Sequence, residues 1–404
     1  MLNRARLLFV ATSILTVFLL IAGSLWSGAH ADDPGGDSLY KYLSMFVEVL
    51  GLVDRAYVDE ADLEPLLGGA LGGATEALDP FSAYIPASDV DRFLASRQEA
   101  AFRSGLIVLK ERGVLYAVAV ESGSPAEAAG FERDDILSAI DGVSTRNMPL
   151  WHARAVLSKP VGTEVQIERI RFGETETITL TLAEYERPGV RVETRRGVPV
   201  LFIERIGADA VENVAASLGV LGTESPADAL PGLERPDTLV IDVRGTAGGD
   251  IRAAYDVAGL FTRGELGVLK GRGEAIEVFS SQDEPAWSGT IAILIDRGTQ
   301  GAAEVLATVL SQQVDAVLVG QPTFGYAGNL ALVELSNGGR LQLTDAFYTG
   351  PDQAPITDSL EVDLRVRDFS NLLAPDGEDT DVVLERGLEV VLGETEVPEE
   401  RQAA

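Results

Sequence analysis

Residue types able to carry covalent or acid–base chemistry are few and unevenly placed in this 404-residue chain. Cysteine is absent, which excludes thiol catalysis, disulfides and thiolate metal sites. Histidine occurs only at His30 and His152, and lysine only at Lys41, Lys110, Lys159 and Lys270. The most suggestive stretch is an apolar run ending at Asp296, a small-residue turn through Thr299, Gln300 and Gly301, and a helical pattern from Ala302. Acyl transfer there would need a hydroxyl and a base within hydrogen-bond reach. Thr299 is the best stand-in nucleophile, yet no lysine or histidine follows it, so a base would have to come from another part of the chain. Asp376 to Asp381 lacks the alternating ligand spacing of a calcium loop and reads as a helix start favoured by negative charge. There is no zinc spacing, phosphate loop or internal repeat, and neither metal nor cofactor is expected.

Three more segments belong with that turn: LVIDVRGTAGGD (Leu239 to Asp250), VGQPTFGYAGNLALVEL (Val319 to Leu335) and LQLTDAFYTGP (Leu341 to Pro351). Together they resemble the carboxyl-terminal processing, or tail-specific, serine proteases. The resemblance implies a serine–lysine endopeptidase, and aligned on Glu304 it puts the nucleophile at Gly301. The base follows 25 positions on, in Thr323-Phe324-Gly325-Tyr326-Ala327, at Tyr326, and the glutamine that orients the base corresponds to Leu330. Upstream, Asp79-Pro80-Phe81-Ser82 has phenylalanine where the family run has histidine. Glycine offers no nucleophile, and a phenol with an ordinary pKa of about 10 is a poor proton acceptor near neutral pH. Loss of a nucleophilic serine costs on the order of 10^6-fold in turnover, so an inactive member is expected, with Tyr326 filling the space of the lysine stem. Gly248, Gly249 and the amide of Ala302 take the oxyanion-hole positions by resemblance; the plainer reading is that the glycines make a tight turn.

These segments need elements to hold them. Val198 to Glu204, Thr238 to Asp242, Ile291 to Asp296 and Val317 to Val319 read as strands, alternating with helices over Asp209 to Leu221, Ile251 to Phe261 and Ala302 to Gln313. That alternation predicts an α/β core. The fold expected is multidomain and mixed α/β: a helical region over 32–100, a β-rich insertion over 101–188, the α/β core over 189–375, and a helix (Asp379 to Leu392) with a mobile tail over 376–404. The helical region, with Leu43, Phe46, Val47, Leu50 and Val53 at helical spacing, is expected to bury core surface. Within 101–188, Ser124 to Phe131 and Asp134 to Gly142 resemble a PDZ domain. That resemblance implies capture of polypeptide carboxyl termini by Ser104, Gly105, Leu106 and Ile107, opposite a helix starting near Leu150. Leu150, Ala153 and Leu157 share one face, as groove lining or plain core, and His152 is either a specificity residue or a solvated one.

A formal charge of −31, from 63 acidic and 32 basic residues, excludes a nucleic-acid partner that would need a basic surface. Residues 1–31 have Arg4 and Arg6 ahead of an apolar stretch over 7–26 and Ala29-His30-Ala31 before Asp32, the pattern of an export signal or an uncleaved anchor. The expected setting is the periplasm or cell envelope, with membrane contact only through that segment. Polypeptide carboxyl termini are the expected partners, with an active protease or further copies of the chain beside them. The alternatives are an endopeptidase with a relocated nucleophile and a structural envelope scaffold.

Overall fold

The computed structural model describes residues 36–97, 103–186, 189–221, 233–234, 237–366, 381–395 and 397. The export segment over 1–31 and nearly all of the tail after 395 lie outside the described residues, as does most of the proline-bearing stretch from Glu224 to Pro236. Among the described residues no helix is long and apolar enough to cross a membrane.

The chain falls into two compact units, Met1–Gly69 and Ala70–Ala404. Helix α1 (Gly36–Ala56) carries the predicted helical spacing, but Leu43 and Val47 are exposed, so the expectation that this stretch buries core surface does not hold for them. Helix α2 (Leu63–Glu76) leads to β1 (Ala83–Ile85) and α3 (Val90–Ser96).

The β-rich insertion follows, made of β2 (Leu106–Glu111), β3 (Val114–Val120), α4 (Pro125–Ala128), β4 (Ile136–Ile140), β5 (Val143–Ser144), α5 (Leu150–Leu157), β6 (Glu164–Arg171) and β7 (Glu174–Thr181). Its sheet runs β2-β3-β4-β6-β7, with β5 on β4, so β2 is an edge strand. The Ser124-Pro125 signature is a helix start: Ser124 Oγ accepts from the Glu127 amide, and Pro125 needs no amide donor at the first helical position. Apolar side chains of β2, β3, β4, β6 and α5 form one core, which also takes in Phe81 and Tyr326.

The α/β core comprises β8 (Val190–Arg195), β9 (Val198–Ile203), α6 (Ala210–Leu221), β10 (Thr238–Asp242), α7 (Ile251–Ala258), β11 (Gly264–Lys270), β12 (Ala275–Ser281), β13 (Thr290–Ile295), α8 (Ala302–Gln313), β14 (Val317–Gly320), β15 (Gly328–Glu334), β16 (Arg340–Tyr348), β17 (Leu364–Arg365) and α9 (Val382–Leu392). One sheet runs β17-β14-β13-β10-β9-β8, parallel except for β8. Strands covered on both faces read as near-continuous apolar runs, and β10 shows the alternation beneath. Leu239 and Ile241 pack in the core with Val214 of α6, Val257 of α7 and Leu306 of α8, while Val240 joins Leu384 and Leu388 of α9 on the other face. Helix α9 starts at Val382, not Asp379: Asp381 is its N-cap and accepts from the Leu384 amide. A second, antiparallel sheet of β1-β16-β11-β12 with β15 on β16 was not foreseen from sequence.

Candidate functional site

The strand-turn-helix stretch is pinned by two buried carboxylates. Asp296, at the end of β13, accepts the amides of Gly245 and Gly298 at 2.9 Å and Thr299 at 3.0 Å, and pairs with the Arg133 guanidinium of the β-rich insertion. Thr299 is fully buried; its hydroxyl donates to the Val243 carbonyl at 2.9 Å and accepts the Asp296 amide at 3.0 Å. Its donor and an acceptor lone pair are thus committed to backbone, and Thr299 clamps the turn.

Gly301 is the N-cap of α8 at φ 63°, ψ −110°, a conformation that L side chains rarely adopt. Space is not the obstacle: a Cβ built there would meet nothing nearer than Gly248 O at 3.4 Å. The Gly301 amide donates to Glu304 Oε2 at 3.0 Å, and so does the Tyr326 amide at 3.0 Å. The other Glu304 oxygen takes the Thr323 hydroxyl and the Gly325 amide. Burial raises the Glu304 pKa, opposed by these four donors. Glu304 thus brings the 301 and 326 positions together. Sequence reasoning used it only as an alignment anchor, although a glutamate three residues past an N-cap is the mark of a capping box.

Of the three oxyanion-hole positions, Ala302 has its amide engaged within the chain. Ala302 donates its amide to the Gly248 carbonyl at 3.2 Å, so the Gly248-Gly249 turn presents an acceptor to it. Both glycines have positive φ, and at Gly249 a Cβ would come within 2.6 Å of Ile206 O, so the turn there has no room for a side chain.

Tyr326 is 9% exposed and sits among rings. Phe81 lies 4.2 Å from it between centroids, and Phe347 meets it edge-on at 5.8 Å. Its hydroxyl bonds with Thr344 Oγ1, which donates to Asp79 Oδ2 at 3.0 Å; Asp79 also accepts the Ser82 amide at 2.7 Å. Burial pushes the Tyr326 phenol well up, so it stays protonated. Leu330 packs against the same cluster.

A cavity of about 360 Å³ runs from this cluster to the β2–α5 groove. Gly248, Gly249, Gln300, Tyr326 and Leu330 line one part of it; Ser104, Leu106, Ile107, Leu150, Trp151, Arg154 and Leu157 line the other. Ala153 is instead packed into the insertion's core, and Gly301, Ala302 and Gly105 do not line the cavity. The Leu106 amide is not open to a ligand as it stands, because it donates to Ser104 Oγ at 3.2 Å. His152 lies off the lining, half-buried and stacked on Trp151 at 5.3 Å. Burial, and then the Arg92 charge, lowers its pKa. On a helix the lining positions recur at 150, 151, 154, 157 and 158, and 152 falls on another side. Arg154 and Trp151, which sequence reasoning passed over, are the residues that α5 turns inward.

Comparison with known proteins matches residues 221–366 to Peptidase family S41 and 116–171 to a PDZ domain. A carboxyl-terminal-processing protease of Synechocystis is 30% identical over 254 residues, 61% of this chain and 57% of that protein. One from Bartonella bacilliformis is 24% identical over 359 residues, 87% of this chain and 80% of that protein. The chain belongs to the carboxyl-terminal processing protease family. It spans a little over half of the Synechocystis relative's length and most of the Bartonella one. The family fold is matched by the solved photosystem II D1 C-terminal processing protease, at TM-score 0.64 and 22% identity over 80% of this chain and 92% of that one.

Proposed function

We propose that this family member is a pseudoprotease: it binds polypeptide carboxyl termini through its PDZ groove and the adjoining cavity, and does not cut them. The observation that carries this is the meeting of two amides, those of Gly301 and Tyr326, on a single Glu304 oxygen. By the resemblance these are the nucleophile and base positions, and they stand side by side. One has no side chain; the other carries a buried phenol that holds its proton. Phe81, which also departs from the family run, packs directly on that phenol, so the two departures support one another. A hydrolytic route through Thr299 is disfavoured by its two backbone hydrogen bonds.

The same proposal puts the chain outside the cytoplasm, in the periplasm or cell envelope, on the strength of Arg4, Arg6 and the apolar run over 7–26. There it would act as an adaptor for, a competitor of, or a subunit with an active protease. The test is to mix the full-length chain with an unfolded polypeptide ending in apolar residues, isolate the complex and weigh its components. The expected result is a complex holding intact polypeptide, dispersed by a short peptide with the same terminus. Absence of any complex, or recovery of cleaved polypeptide, overturns the proposal.

A further inference from the structure

The groove end of the cavity holds a charge with no counterion among the described residues. Arg154 lines the cavity and, among the described residues, has no carboxylate within ion-pair distance. Its bonding partner is the Val108 carbonyl, 3.3 Å from Nη2, and its guanidinium lies over the Phe81 ring at 5.6 Å. Enclosure lowers its pKa to about 10, with no neighbouring charge to offset that. A half-buried cation without a counterion is costly and marks a place where an anion is expected. Beside it on α5, Trp151 Nε1 is a buried donor with no hydrogen-bond partner among the described residues.

Position along β2 says where that anion would come from. An extended peptide adding to the open edge of β2 would have its terminus at the Ser104–Leu106 loop, as in other PDZ domains. Val108 is two residues further along, about 6.6 Å at the usual rise of a strand. The peptide residue level with it therefore stands two places before the terminus. Side chains alternate with period two, so this residue points to the same side as the last one, toward α5. Arg154 now occupies the edge carbonyl that an incoming strand would need, and a carboxylate offers the guanidinium a stronger, two-pronged partner than that carbonyl.

Resting on the peptide-binding reading above, we propose that Arg154 is a specificity residue that selects polypeptides with an acidic side chain two places before an apolar carboxyl terminus. Glu76 and Arg97, also on the lining, are exposed, so Arg154 is the sheltered charge that such a side chain meets.

The test is fluorescence anisotropy on the full-length chain with labelled decapeptides: one with Asp third from the end, its Asn isostere, and the Asp peptide with an amidated terminus. Binding of Asp roughly tenfold tighter than Asn is expected, about what one charge-assisted pair contributes. Arg154→Met, its fold checked by circular dichroism, should remove the preference, and Arg154→Lys should keep part of it. Equal binding of Asp and Asn peptides by the unaltered chain overturns the inference and leaves peptide binding standing. So does a preference that survives Arg154→Met, or an Arg154 effect that tracks terminal amidation and ignores the Asp-to-Asn change. If no peptide binds at all, the peptide-binding reading falls and this inference with it.

Discussion

The two ends of the cavity treat their polar groups in opposite ways. At the turn, the carboxylates of Asp296 and Glu304 collect backbone amides and hydroxyls from several elements, and each donor named there has its acceptor. At the groove, among the described residues, Arg154 has one carbonyl for its guanidinium and Trp151 Nε1 has no partner. Satisfied groups hold shape; unsatisfied ones are stabilised when a ligand arrives. On the function proposed above, the turn is retained scaffold and the groove the working surface.

Breaking the turn should cost most. Glu304→Leu would orphan two or more buried donors, and about 3–5 kcal/mol of unfolding free energy should be lost in urea denaturation. A loss under about 1 kcal/mol would mean the turn is held by something else. Gly301→Ser comes next: the side chain has room, but the backbone conformation should cost on the order of 1–3 kcal/mol by the same assay. The groove should respond with the opposite sign. Arg154→Met keeps an apolar side chain beside Phe81 and removes the half-buried charge, so stability should rise by about 1 kcal/mol while peptide affinity falls. Equal losses of stability from Arg154→Met and Glu304→Leu would erase the contrast between the two ends.

How far the sequence could reach follows from what each feature depends on. Local pattern was enough for β10 and α8, whose limits match their apolar runs. The antiparallel sheet was missed because its two hairpins, β11–β12 and β15–β16, join each other and β1 only through β16, by pairings of β16 with β11 and with β1 that are far apart in sequence. The neutral fit of Tyr326 needs Phe81, 245 positions earlier, and Arg154 needs the edge of β2 before it becomes conspicuous. His152 was singled out by residue type, and the helix turns it away from the cavity.

The smallest effect expected is a pH dependence at α9, away from both ends. Burial alone would raise the Asp381 carboxyl, but the Arg244 hydrogen bonds at 2.6 and 2.9 Å, the Arg244 charge and the Leu384 amide outweigh it and hold the pKa below the usual range. A folded-state pKa below the unfolded one of about 3.9 means a contribution present above that pH and lost as pH falls through the lower folded value. Asp381→Asn should therefore flatten the acid limb of the stability profile measured by thermal denaturation from pH 2 to 6, and leave peptide affinity at neutral pH unchanged. An unaltered acid limb would show that the Arg244–Asp381 pair contributes nothing to the docking of α9.

The central claim, binding without hydrolysis, is tested most directly by counting turnovers. Excess unfolded polypeptide with an apolar terminus is incubated with the full-length chain, alongside a Gly301→Ser, Tyr326→Lys double variant, and products are followed by mass spectrometry. The account predicts intact polypeptide with the unaltered chain at all times, whatever the double variant does. More than one cleavage per chain by the unaltered protein would contradict it.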